Sequence, residues 1–478
     1  MKELKMYIDG RFTGNQSGKW IDVLNPSTEE VIAQMPDGTV EDVRSAINAA
    51  EKAQPDWEKL PPIQRAAYLT KIAGGIRARE KELTDIIVRE GGKTQGLANV
   101  EVLFTADYLE YMAGWARRYE GEIIPSDRPH ESIFLFKKPI GVTTGILPWN
   151  FPFFLIARKA APALLTGNTI VIKPSQITPI NAYIFALIAD EAGVPPGVFN
   201  LVNGRGSVIG HELAANPKVG MVSLTGSVEA GIQTMAAASA NVTKVSLELG
   251  GKAPGIVMPD ADLDLAVKSI IASRVINTGQ VCNCCERVYV HASIKDAFME
   301  KLIAGMKAVK TGNPAETADL DMGPLVEEAA LKAVQAKVER AIAQGATLVL
   351  GGKRIGTKGY FFEPTILDGC TQEMDIIRQE TFGPVLPVVE FIDTQDAIRW
   401  ANDCEYGLTS SVYTQNLDVA FKLIRALKFG ETYINRENFE AMQGFHAGWR
   451  KSGIGGADGK HGLEEYLQTH VVYLETKG

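Results

Sequence analysis

The stretch GVTTGILPWNFPFFLIARKAAPALLTGNTIVIKPS, residues 141–175, decides the fold of this 478-residue chain. Residues 141–147 and 169–172 are rich in β-branched side chains and predict two strands, and residues 157–165 between them predict a helix. A strand, a helix and a second strand in this order indicate parallel strands joined by a helical crossover. The stretch therefore predicts an α/β fold with a doubly wound parallel sheet.

The alternation of strands and helices continues on both sides of this stretch. Downstream, a helix is expected at 181–192 and strands at 198–202 and 219–224. Upstream, the spacing of apolar side chains by three and four predicts helices over 40–115. The second half of the chain repeats the alternation, which predicts a second α/β domain. Its expected strands are 287–290, 347–350, 386–390 and 410–414.

Two short segments stand outside this pattern. Residues 132–137, Ser-Ile-Phe-Leu-Phe-Lys, predict a strand of a hairpin or an extension. Residues 469–474, near the other end of the chain, predict a short apolar strand with few local partners. An unpaired strand leaves its backbone N–H and C=O groups without hydrogen bonds. We therefore expect the tail strand to pair with another segment or with another subunit.

Composition and charge argue against several classes of function. The net charge of −8 does not favour nucleic acid binding, which needs Lys and Arg clustered on one face. The longest apolar stretch, residues 140–157, is interrupted by Pro148 and Pro152 and is too short to cross a membrane. Five cysteines, three of them inside four positions, argue against a disulfide framework and indicate a reducing compartment. Residues 1–7 lack the apolar segment of a secretion signal, so a cytoplasmic location is expected.

The densest group of reactive side chains lies at 277–287, Asn-Thr-Gly-Gln-Val-Cys-Asn-Cys-Cys-Glu-Arg. A cysteine in a glycine-containing loop is typical of a nucleophile, because backbone amides can approach its thiolate. A metal site and buried structural thiols are the open alternatives. The spacing disfavours zinc, since one residue separates Cys282 from Cys284 and no matching Cys or His pair follows. We predict no metal.

Two further motifs carry groups that such a nucleophile requires. Glu248 lies in a mainly apolar segment that breaks at Gly250 and Gly251, and desolvation there would raise its pKa toward the value that suits a general base. A salt-bridged glutamate at a strand edge is the alternative. Asn150 follows a predicted strand, and its amide can donate a hydrogen bond to a developing oxyanion. An asparagine that caps the next helix is the alternative.

Two glycine-rich turns indicate a dinucleotide site. The first, at 204–210 (Gly-Arg-Gly-Ser-Val-Ile-Gly), follows a strand, but its spacing is GxGxxxG and not the Rossmann GxGxxG. The second, at 225–231 (Thr-Gly-Ser-Val-Glu-Ala-Gly), also follows a strand and opens a helix whose N-terminus can hold a pyrophosphate. Each turn is weak evidence alone, and the two together favour a nucleotide cofactor.

Taken in order, these motifs resemble the aldehyde dehydrogenase superfamily nearly from end to end of the chain. They are Pro-Trp-Asn-Phe-Pro (148–152), Lys-Pro-Ser (173–175), Phe-Asn-Leu-Val (199–202), Thr-Gly-Ser (225–227), Leu-Glu-Leu-Gly-Gly-Lys (247–252), Gly-Gln-Val-Cys (279–282), Glu-Thr-Phe-Gly-Pro (380–384) and Ser-Gly (452–453). Wider stretches resemble the bacterial lactaldehyde/glycolaldehyde dehydrogenases of this superfamily. These are residues 104–108, 115–122, 431–446 and 451–462.

The resemblance implies a mechanism and a cofactor. Cys282 would attack the aldehyde carbon, and Asn150 with the Cys282 amide would hold the oxyanion. Glu248 would activate the water that hydrolyses the thioester left after hydride transfer. The expected cofactor is NAD. The family pattern places it against Ile146, Leu147, Pro148, Trp149, Lys173, Ser175, Gln176, Gly206, Gly210, His211, Gly226, Ser227, Leu249, Glu380 and Phe382.

Two positions depart from the family pattern. NAD-preferring members usually carry Glu against the adenosine ribose, where this chain has Gln176. A neutral amide would not repel a 2′-phosphate, so the sequence predicts NAD use with some tolerance of NADP. The C-terminal motif of the family often reads Gly-Arg-Glu, whereas residues 455–457 read Gly-Gly-Ala. A glutamate proposed to relay protons is therefore absent, and any relay must take another route.

The substrate tunnel also departs from the pattern. Relatives that oxidise long or aromatic aldehydes line it with Trp and Phe, and this chain has Arg158, Glu440 and His446 at the matching positions. Polar groups are costly in an apolar tunnel, so we expect an aldehyde with hydrogen-bonding groups near its carbonyl and Asn283 as a further contact. A salt-bridged entrance, with Arg158 paired to Glu440, is the open alternative. The predicted substrates are small α-hydroxyaldehydes, lactaldehyde and glycolaldehyde.

Three other functions remain open on the sequence. Succinate-semialdehyde dehydrogenases also carry an arginine at the position of Arg158, where it binds the substrate carboxylate. Their second arginine is replaced by Ile276 in this chain, and Glu440 would repel a carboxylate. A CoA-acylating relative would typically lack Glu248. A non-catalytic structural relative would be expected to lose the nucleophile, the base or the cofactor residues, and all three are present.

The resemblance also implies the domain organisation. Residues 1–119 and 140–250 would form a Rossmann-like cofactor domain, and residues 251–450 an α/β catalytic domain. Residues 120–139 and 451–478 would form a small β oligomerisation extension. We expect this extension to meet the C-terminal strand of a partner subunit in a homodimer or a tetramer.

Overall fold

The structure is a computed structural model and describes residues 2–477. It contains two large sheets flanked by helices and two small three-stranded sheets. Among these residues, none of the helices has the length and the apolar character that crossing a membrane requires. The α-helices are Val40–Lys59, Pro62–Ala78, Glu80–Gly91, Gln95–Ala113, Phe154–Thr166, Ile180–Glu191, Gly206–Ala215, Val228–Ala238, Leu263–Val275, Lys295–Lys307, Glu328–Ala343, Asp375–Arg378, Thr394–Asn402, Leu417–Ala426 and Gly459–Glu464.

The first large sheet has the doubly wound order that the sequence predicts. From edge to edge its strands are Gly453–Ile454, Lys244–Glu248, Val219–Thr225, Val142–Ile146, Thr169–Lys173, Phe199–Leu201, Met6–Ile8 and Arg11–Thr13. The second to the sixth of these run parallel. The winding direction reverses between Val142–Ile146 and Val219–Thr225. Ligands of such sheets bind beyond the carboxyl ends of the strands at this reversal, which is where the predicted cofactor motifs begin.

The second large sheet confirms the expected second α/β unit. From edge to edge its strands are Thr347–Leu350, Thr365–Asp368, Val385–Phe391, Cys285–His291, Ala253–Val257, Thr409–Tyr413 and Glu431–Ile434. All neighbours are parallel except the first pair. Cys282 precedes the central strand Cys285–His291, and Glu248 ends a strand of the first sheet. The predicted nucleophile and base therefore come from different sheets.

The small sheets occupy the remaining segments. Glu122–Pro125, Glu131–Pro139 and Leu467–Glu475 form one antiparallel sheet, and Lys2–Glu3, Trp20–Leu24 and Val31–Pro36 form the other. The C-terminal strand pairs with Glu131–Pro139 of its own chain, which is one of the two pairings that the sequence analysis left open, and the contact of this extension with a partner subunit stays a prediction. The reason for the observed pairing is local. The helix Gly459–Glu464 contacts the helix Phe154–Thr166 and thereby brings the tail beside Glu131–Pro139.

The helix Phe154–Thr166 organises the region between the first sheet and the helical layer. Every residue of this helix is buried, so its sequence is apolar on almost all sides and it belongs to the largest core cluster. It ends at Gly167, whose φ of 96° is the left-handed conformation typical of a glycine helix stop. Because the helix cannot shift without disrupting this core, Asn150 before it and Arg158 within it are held firmly.

Candidate active site

Cys282 lies where two cavities meet. One cavity has mostly aromatic and apolar walls and is bordered by Arg158, Asn283 and Glu440. The other runs along the carboxyl end of the first sheet and is bordered by Glu248. Cys282 lines both cavities and is partly exposed. A group entering from either side therefore reaches its sulfur.

The loop that carries Cys282 has a strained backbone that side chains hold in place. Asn277 and Thr278 adopt φ values of 46° and 59°, a conformation that costs about 1–3 kcal/mol per non-glycine residue. The Gln280 side chain donates to the Asn277 carbonyl at 2.9 Å and accepts from the Val326 amide at 2.9 Å. These bonds offset the strain and fix the position of the thiol.

Asn150 is held from two sides next to this loop. Its Nδ2 donates to the carbonyl of Gln280 at 3.1 Å, and its own carbonyl accepts from the buried Lys93 ammonium at 2.8 Å. Lys93 in turn pairs with the buried Glu101, which also accepts from two backbone amides at the start of the next helix. A buried ion pair thus holds Asn150, whose side-chain amide is expected to donate a hydrogen bond to the oxyanion.

The two neighbouring thiols differ from Cys282 in their surroundings. Burial raises the pKa of Cys284 to about 12 and that of Cys285 to about 11. Both therefore stay protonated near neutral pH, and a thiol is a poor nucleophile. Cys285 packs inside the second sheet, where its sulfur would lie 2.9 Å from a Cβ added at Gly255. The structural interpretation of these two cysteines accords with this burial.

Glu248 is a buried carboxyl group with few polar neighbours. Neither of its carboxylate oxygens has a hydrogen-bond partner within residues 2–477. Burial raises its pKa to about 7, and the nearby positive charges of His446, Arg158 and Lys159 oppose part of this rise. A carboxyl group with a pKa near neutrality can both accept and release a proton, as a general base must.

His446 lies deeper than the sequence predicts. Instead of lining the aromatic cavity, its imidazole is buried with Nε2 3.6 Å from Glu248 Oε2 and Nδ1 2.5 Å from Glu431 Oε1. The pKa of His446 is well above its ordinary value, because the carboxylates of Glu431 and Glu440 outweigh burial and the charge of Arg158. The thiol of Cys282 also faces this imidazole. Sequence reasoning missed Glu431, although it lies in a stretch that carried the resemblance.

The polar end of the aromatic cavity is a connected network. The Arg158 guanidinium pairs with Glu440 at 3.1 Å, as the sequence suggests, and Glu440 also accepts from the Asn283 side chain. A second carboxylate, Asp458, forms two hydrogen bonds with Arg158. Asp458 was missed although it lies in the stretch 451–462 that carried the resemblance, because its partner Arg158 is 300 residues away along the chain. Both the polar contacts and the salt-bridged entrance of the sequence interpretation are therefore compatible with this geometry.

The predicted cofactor residues fall into three groups. Along the second cavity lie Pro148, Trp149, Gly226, Ser227, Leu249, Glu380 and Phe382. A further cavity along the same sheet edge is bordered by Ile146, Gly206, Gly210 and His211. The third group, which borders neither cavity, consists of Leu147, Lys173, Ser175 and Gln176.

The third group has distinct surroundings. Leu147 is buried in the largest core cluster, and its contact with the cofactor stays a prediction. Lys173 is buried near Gly206 and donates to the Pro174 carbonyl at 2.9 Å; burial lowers its pKa to about 8. Gln176 is exposed at the end of the same strand. A donor such as Lys173 and an exposed amide suit the ribose end of a dinucleotide.

The fit of a dinucleotide can be tested at Ser227 and Glu380. Ser227 caps the helix Val228–Ala238 by accepting from its third amide, which leaves a helix N-terminus facing the cleft as an anion site. Glu380 accepts from the Gly251 amide at 2.9 Å, and burial raises its pKa to about 7. The aromatic rings of Phe382 and Trp149 meet edge to face with centroids 5.5 Å apart. The donors and acceptors present fit a nicotinamide dinucleotide.

A buried carboxylate that the sequence did not single out holds the loop of Glu380 and Phe382. Glu286 accepts from the amides of Thr381 at 2.8 Å and Phe382 at 2.9 Å. It also pairs with Lys252 at 2.7 Å and with Arg274, and these cations lower its pKa to about 2. Its only signal in the sequence is its place directly after the cysteine cluster.

Comparison with known proteins gives the same assignment over the full length. Residues 12–472 match the sequence profile of the aldehyde dehydrogenase family. The chain is 67% identical to lactaldehyde dehydrogenase of Escherichia coli (strain K12), with 98% of each chain covered. It is 44% identical to 3,6-anhydro-alpha-L-galactose dehydrogenase of Vibrio sp. (strain EJY3), with 99% of each covered.

The solved structures agree. The crystal structure of lactaldehyde dehydrogenase from Escherichia coli superimposes with a TM-score of 0.98 at 67% identity, and 99% of each chain is covered. A structure of 3,6-anhydro-L-galactose dehydrogenase in complex with NAP gives a TM-score of 0.97 at 42% identity, covering 99% of this chain and 100% of the other. Sequence, fold and site geometry thus lead to one conclusion: the chain belongs to the aldehyde dehydrogenase family.

Proposed function

We propose that this protein oxidises lactaldehyde, and with it glycolaldehyde, to the carboxylic acid with a nicotinamide dinucleotide as electron acceptor. The observation that carries the proposal is the polar network of Arg158, Glu440 and Asn283 at one end of a cavity that reaches Cys282. A small aldehyde with a hydroxyl group beside its carbonyl places that hydroxyl within reach of these side chains. The identity of 67% to a lactaldehyde dehydrogenase supports the same substrate.

The chemistry proposed for the chain's own residues follows from their positions. The Cys282 thiolate forms a bond to the aldehyde carbon while the C=O π electrons move onto the oxygen, and the Asn150 amide donates a hydrogen bond to this oxygen as it becomes negative. NAD, when bound, supplies the acceptor for the hydride. Glu248 then takes a proton from the water that frees the acid from Cys282. The pKa of Glu248, near 7, lets it be ionised for this step at neutral pH.

For the cofactor we propose NAD with tolerance of NADP. Gln176 is exposed and uncharged, so it offers a hydrogen bond to a ribose hydroxyl without repelling a phosphate. We assign the binding of the dinucleotide to the first large sheet and the helices of residues 1–119 and 140–250. A kcat/KM ratio of NAD to NADP above about a thousand, or ~4 kcal/mol, would count against the tolerance.

The rival reactions fit the site less well. Succinate-semialdehyde dehydrogenase [NADP(+)] of Escherichia coli (strain K12) is 38% identical to this chain. Succinate-semialdehyde dehydrogenases carry a second arginine for the substrate carboxylate, and this chain has Ile276 at that position. Glu440 would moreover repel such a carboxylate. A CoA-acylating reaction does not need the base that Glu248 supplies. The non-catalytic alternative does not explain why nucleophile, base and cofactor residues are all retained.

We also propose a cytoplasmic location and an assembly of identical subunits. The five cysteines are unpaired, which fits a reducing cytoplasm. Apolar side chains such as Ile123 and Tyr473 are exposed on the small sheet that contains the C-terminal strand. We propose that this sheet is covered by a second copy of the chain in a homodimer or a tetramer.

The test is a panel of aldehydes with the purified enzyme, each with NAD and with NADP and without CoA. Lactaldehyde and glycolaldehyde are expected to give the highest kcat/KM, above succinate semialdehyde, betaine aldehyde and benzaldehyde. A preference for succinate semialdehyde would refute the substrate assignment. Failure of every aldehyde to yield NADH or NADPH would favour the non-catalytic alternative, and turnover only with CoA would favour acylation.

A further inference from the structure

We propose that Asp458 is a specificity-determining residue that neutralises Arg158 and, with Glu440, makes the substrate site reject aldehydes that carry a carboxylate. The inference rests on the proposed function, because it concerns which aldehydes reach Cys282. It assigns a role to a carboxylate from the C-terminal segment, which the sequence motifs of the active site do not include.

The first support is the geometry of the Arg158–Asp458 pair. Arg158 Nε donates to Asp458 Oδ1 at 2.9 Å, and Arg158 Nη2 donates to Asp458 Oδ2. This is the two-pronged arrangement in which a guanidinium binds a carboxylate most strongly. The relative exposure of the two side chains is 6% and 1%, so water screens the pair little. Asp458 thus occupies the Nε–Nη2 edge of Arg158 and compensates its positive charge, so this edge is not free for a substrate carboxylate.

The second support is the charge balance around the cavity. Arg158 also pairs with Glu440 at 3.1 Å, so one cation faces two carboxylates. Of the other buried cations near the site, His446 lies between Glu431 and Glu248, and the Lys159 ammonium donates to the hydroxyl groups of Ser223 and Thr225. Burial lowers the pKa of Lys159 to about 7, so its side chain is only partly charged near neutral pH. A substrate carboxylate would therefore add negative charge to a buried site that already has an excess of it, which is unfavourable.

The third support is the backbone conformation of Asp458 and the contacts that hold it. Its φ is 72°, in the left-handed region, and its neighbour Ala457 is fixed to His446 by two backbone hydrogen bonds of 2.8 and 2.9 Å. The residue precedes the helix Gly459–Glu464, which contacts the helix that carries Arg158. A strained backbone held by surrounding contacts is a common feature of functional sites.

The test is the variant Asp458→Asn. Asparagine keeps the shape of the side chain and tolerates a positive φ, while the negative charge is lost. The readout is kcat/KM for succinate semialdehyde divided by kcat/KM for lactaldehyde. We expect this ratio to rise about tenfold or more over wild type, because a like charge is removed from the site. A folded Asp458→Asn enzyme with an unchanged ratio would overturn the inference.

Two further variants keep the test decisive. Glu440→Gln removes the second carboxylate and is expected to raise the same ratio, so an unchanged ratio there would count against the inference even if Asp458→Asn fails to fold. Asp403→Asn removes a carboxylate of an exposed pair with Arg378 and is expected to leave the ratio at the wild-type value. A general loss of structure lowers both kcat/KM values and does not raise their ratio.

The failure of this inference is distinguishable from the failure of the proposed function. If wild type does not oxidise lactaldehyde, the proposed function fails. If wild type prefers lactaldehyde and neither variant changes the ratio, the proposed function stands and the role of Asp458 is wrong.

Discussion

Glu248 and His446 are coupled at the scale of single residues. His446 Nε2 lies 3.6 Å from Glu248 Oε2. Burial raises the pKa of Glu248, and the positive charge of His446 is the largest influence that lowers it. Arg158 and Lys159 act in the same direction, and Asp458 acts in the opposite one. Loss of the imidazolium therefore raises the pKa of Glu248 further.

The variant His446→Gln tests this coupling. A general base must be ionised, so a higher pKa of Glu248 moves the acid side of the pH profile of kcat to higher pH. We expect a shift of about one unit, which corresponds to about 1.4 kcal/mol. The measurement is kcat at saturating lactaldehyde between about pH 5 and 9. His461→Gln, an exposed histidine, serves as control, and a midpoint that stays at the wild-type pH in His446→Gln would contradict the coupling.

Residues near in sequence were easier to predict than residues near only in space. Cys282, Glu248 and Asn150 each had a plausible structural alternative in isolation, and only their joint order and spacing favoured the enzyme. Glu431 and Asp458 lie in stretches that carry the family resemblance, but the resemblance assigned neither of them a role. Their roles depend on contacts with His446 and Arg158 that form only in the folded chain, and the spacing of the sequence does not encode these contacts.

At the scale of elements, the strand Cys285–His291 and the loop after residue 379 are joined by one carboxylate. Glu286 pairs with Lys252 and Arg274 inside the protein and accepts from two amides of the loop. Removal of one member of a buried ion group leaves the other charges uncompensated. The position of Glu380 therefore depends on Glu286.

The variant Glu286→Gln is expected to lower the free energy of unfolding by about 3–5 kcal/mol and to raise the KM for NAD. The folded pKa of Glu286, about 2, lies below the unfolded value of about 4.3, so its stabilisation is present above the unfolded pKa and is lost as the pH falls toward 2. Urea unfolding at neutral pH measures the effect. The control is Glu390→Gln, which removes a partly exposed pair with Lys295 and should lower the free energy of unfolding by less than about 1 kcal/mol. Equal losses of stability in the two variants would contradict the role of Glu286 in holding this loop.

Some elements escaped prediction for reasons that the structure makes clear. The strand Ala253–Val257 lies inside the second sheet although it contains Pro254 and Gly255, residues that argue against a central strand. Pro254 sits at an irregularity in the register, and a Cβ at Gly255 would lie 2.9 Å from the Cys285 sulfur. Four parallel strands of the first sheet were predicted to within one residue of their ends, namely Val142–Ile146, Thr169–Lys173, Phe199–Leu201 and Val219–Thr225. Its other four strands were not predicted as strands.

At the scale of the whole molecule, the small sheet of Glu122–Pro125, Glu131–Pro139 and Leu467–Glu475 leaves apolar side chains uncovered. Ile123 is 74% exposed and Tyr473 is 66% exposed. Burying a large apolar side chain contributes about 1.5–3 kcal/mol, which favours contact with a second copy.

The double variant Ile123→Lys with Tyr473→Lys is expected to weaken assembly, since two charges would replace apolar surface. Light scattering of the purified proteins over a dilution series should give a smaller mass for the variant than for wild type at equal concentration. Leu417→Lys, at an exposed position on a helix elsewhere in the chain, is the control. An unchanged mass in the double variant would show that the assembly uses another surface.

The central claim is that the aldehyde becomes bonded to Cys282 and that Glu248 is needed to release it. The most direct test is mass spectrometry of the Glu248→Gln enzyme after mixing with NAD and lactaldehyde. We expect a lactoyl group on the peptide that contains Cys282. The group should also be present in the double variant Glu248→Gln with Cys284→Ala, and it should be missing in the double variant Glu248→Gln with Cys282→Ala. A lactoyl group on another residue, or steady NADH production by Cys282→Ala at the wild-type rate, would contradict the claim.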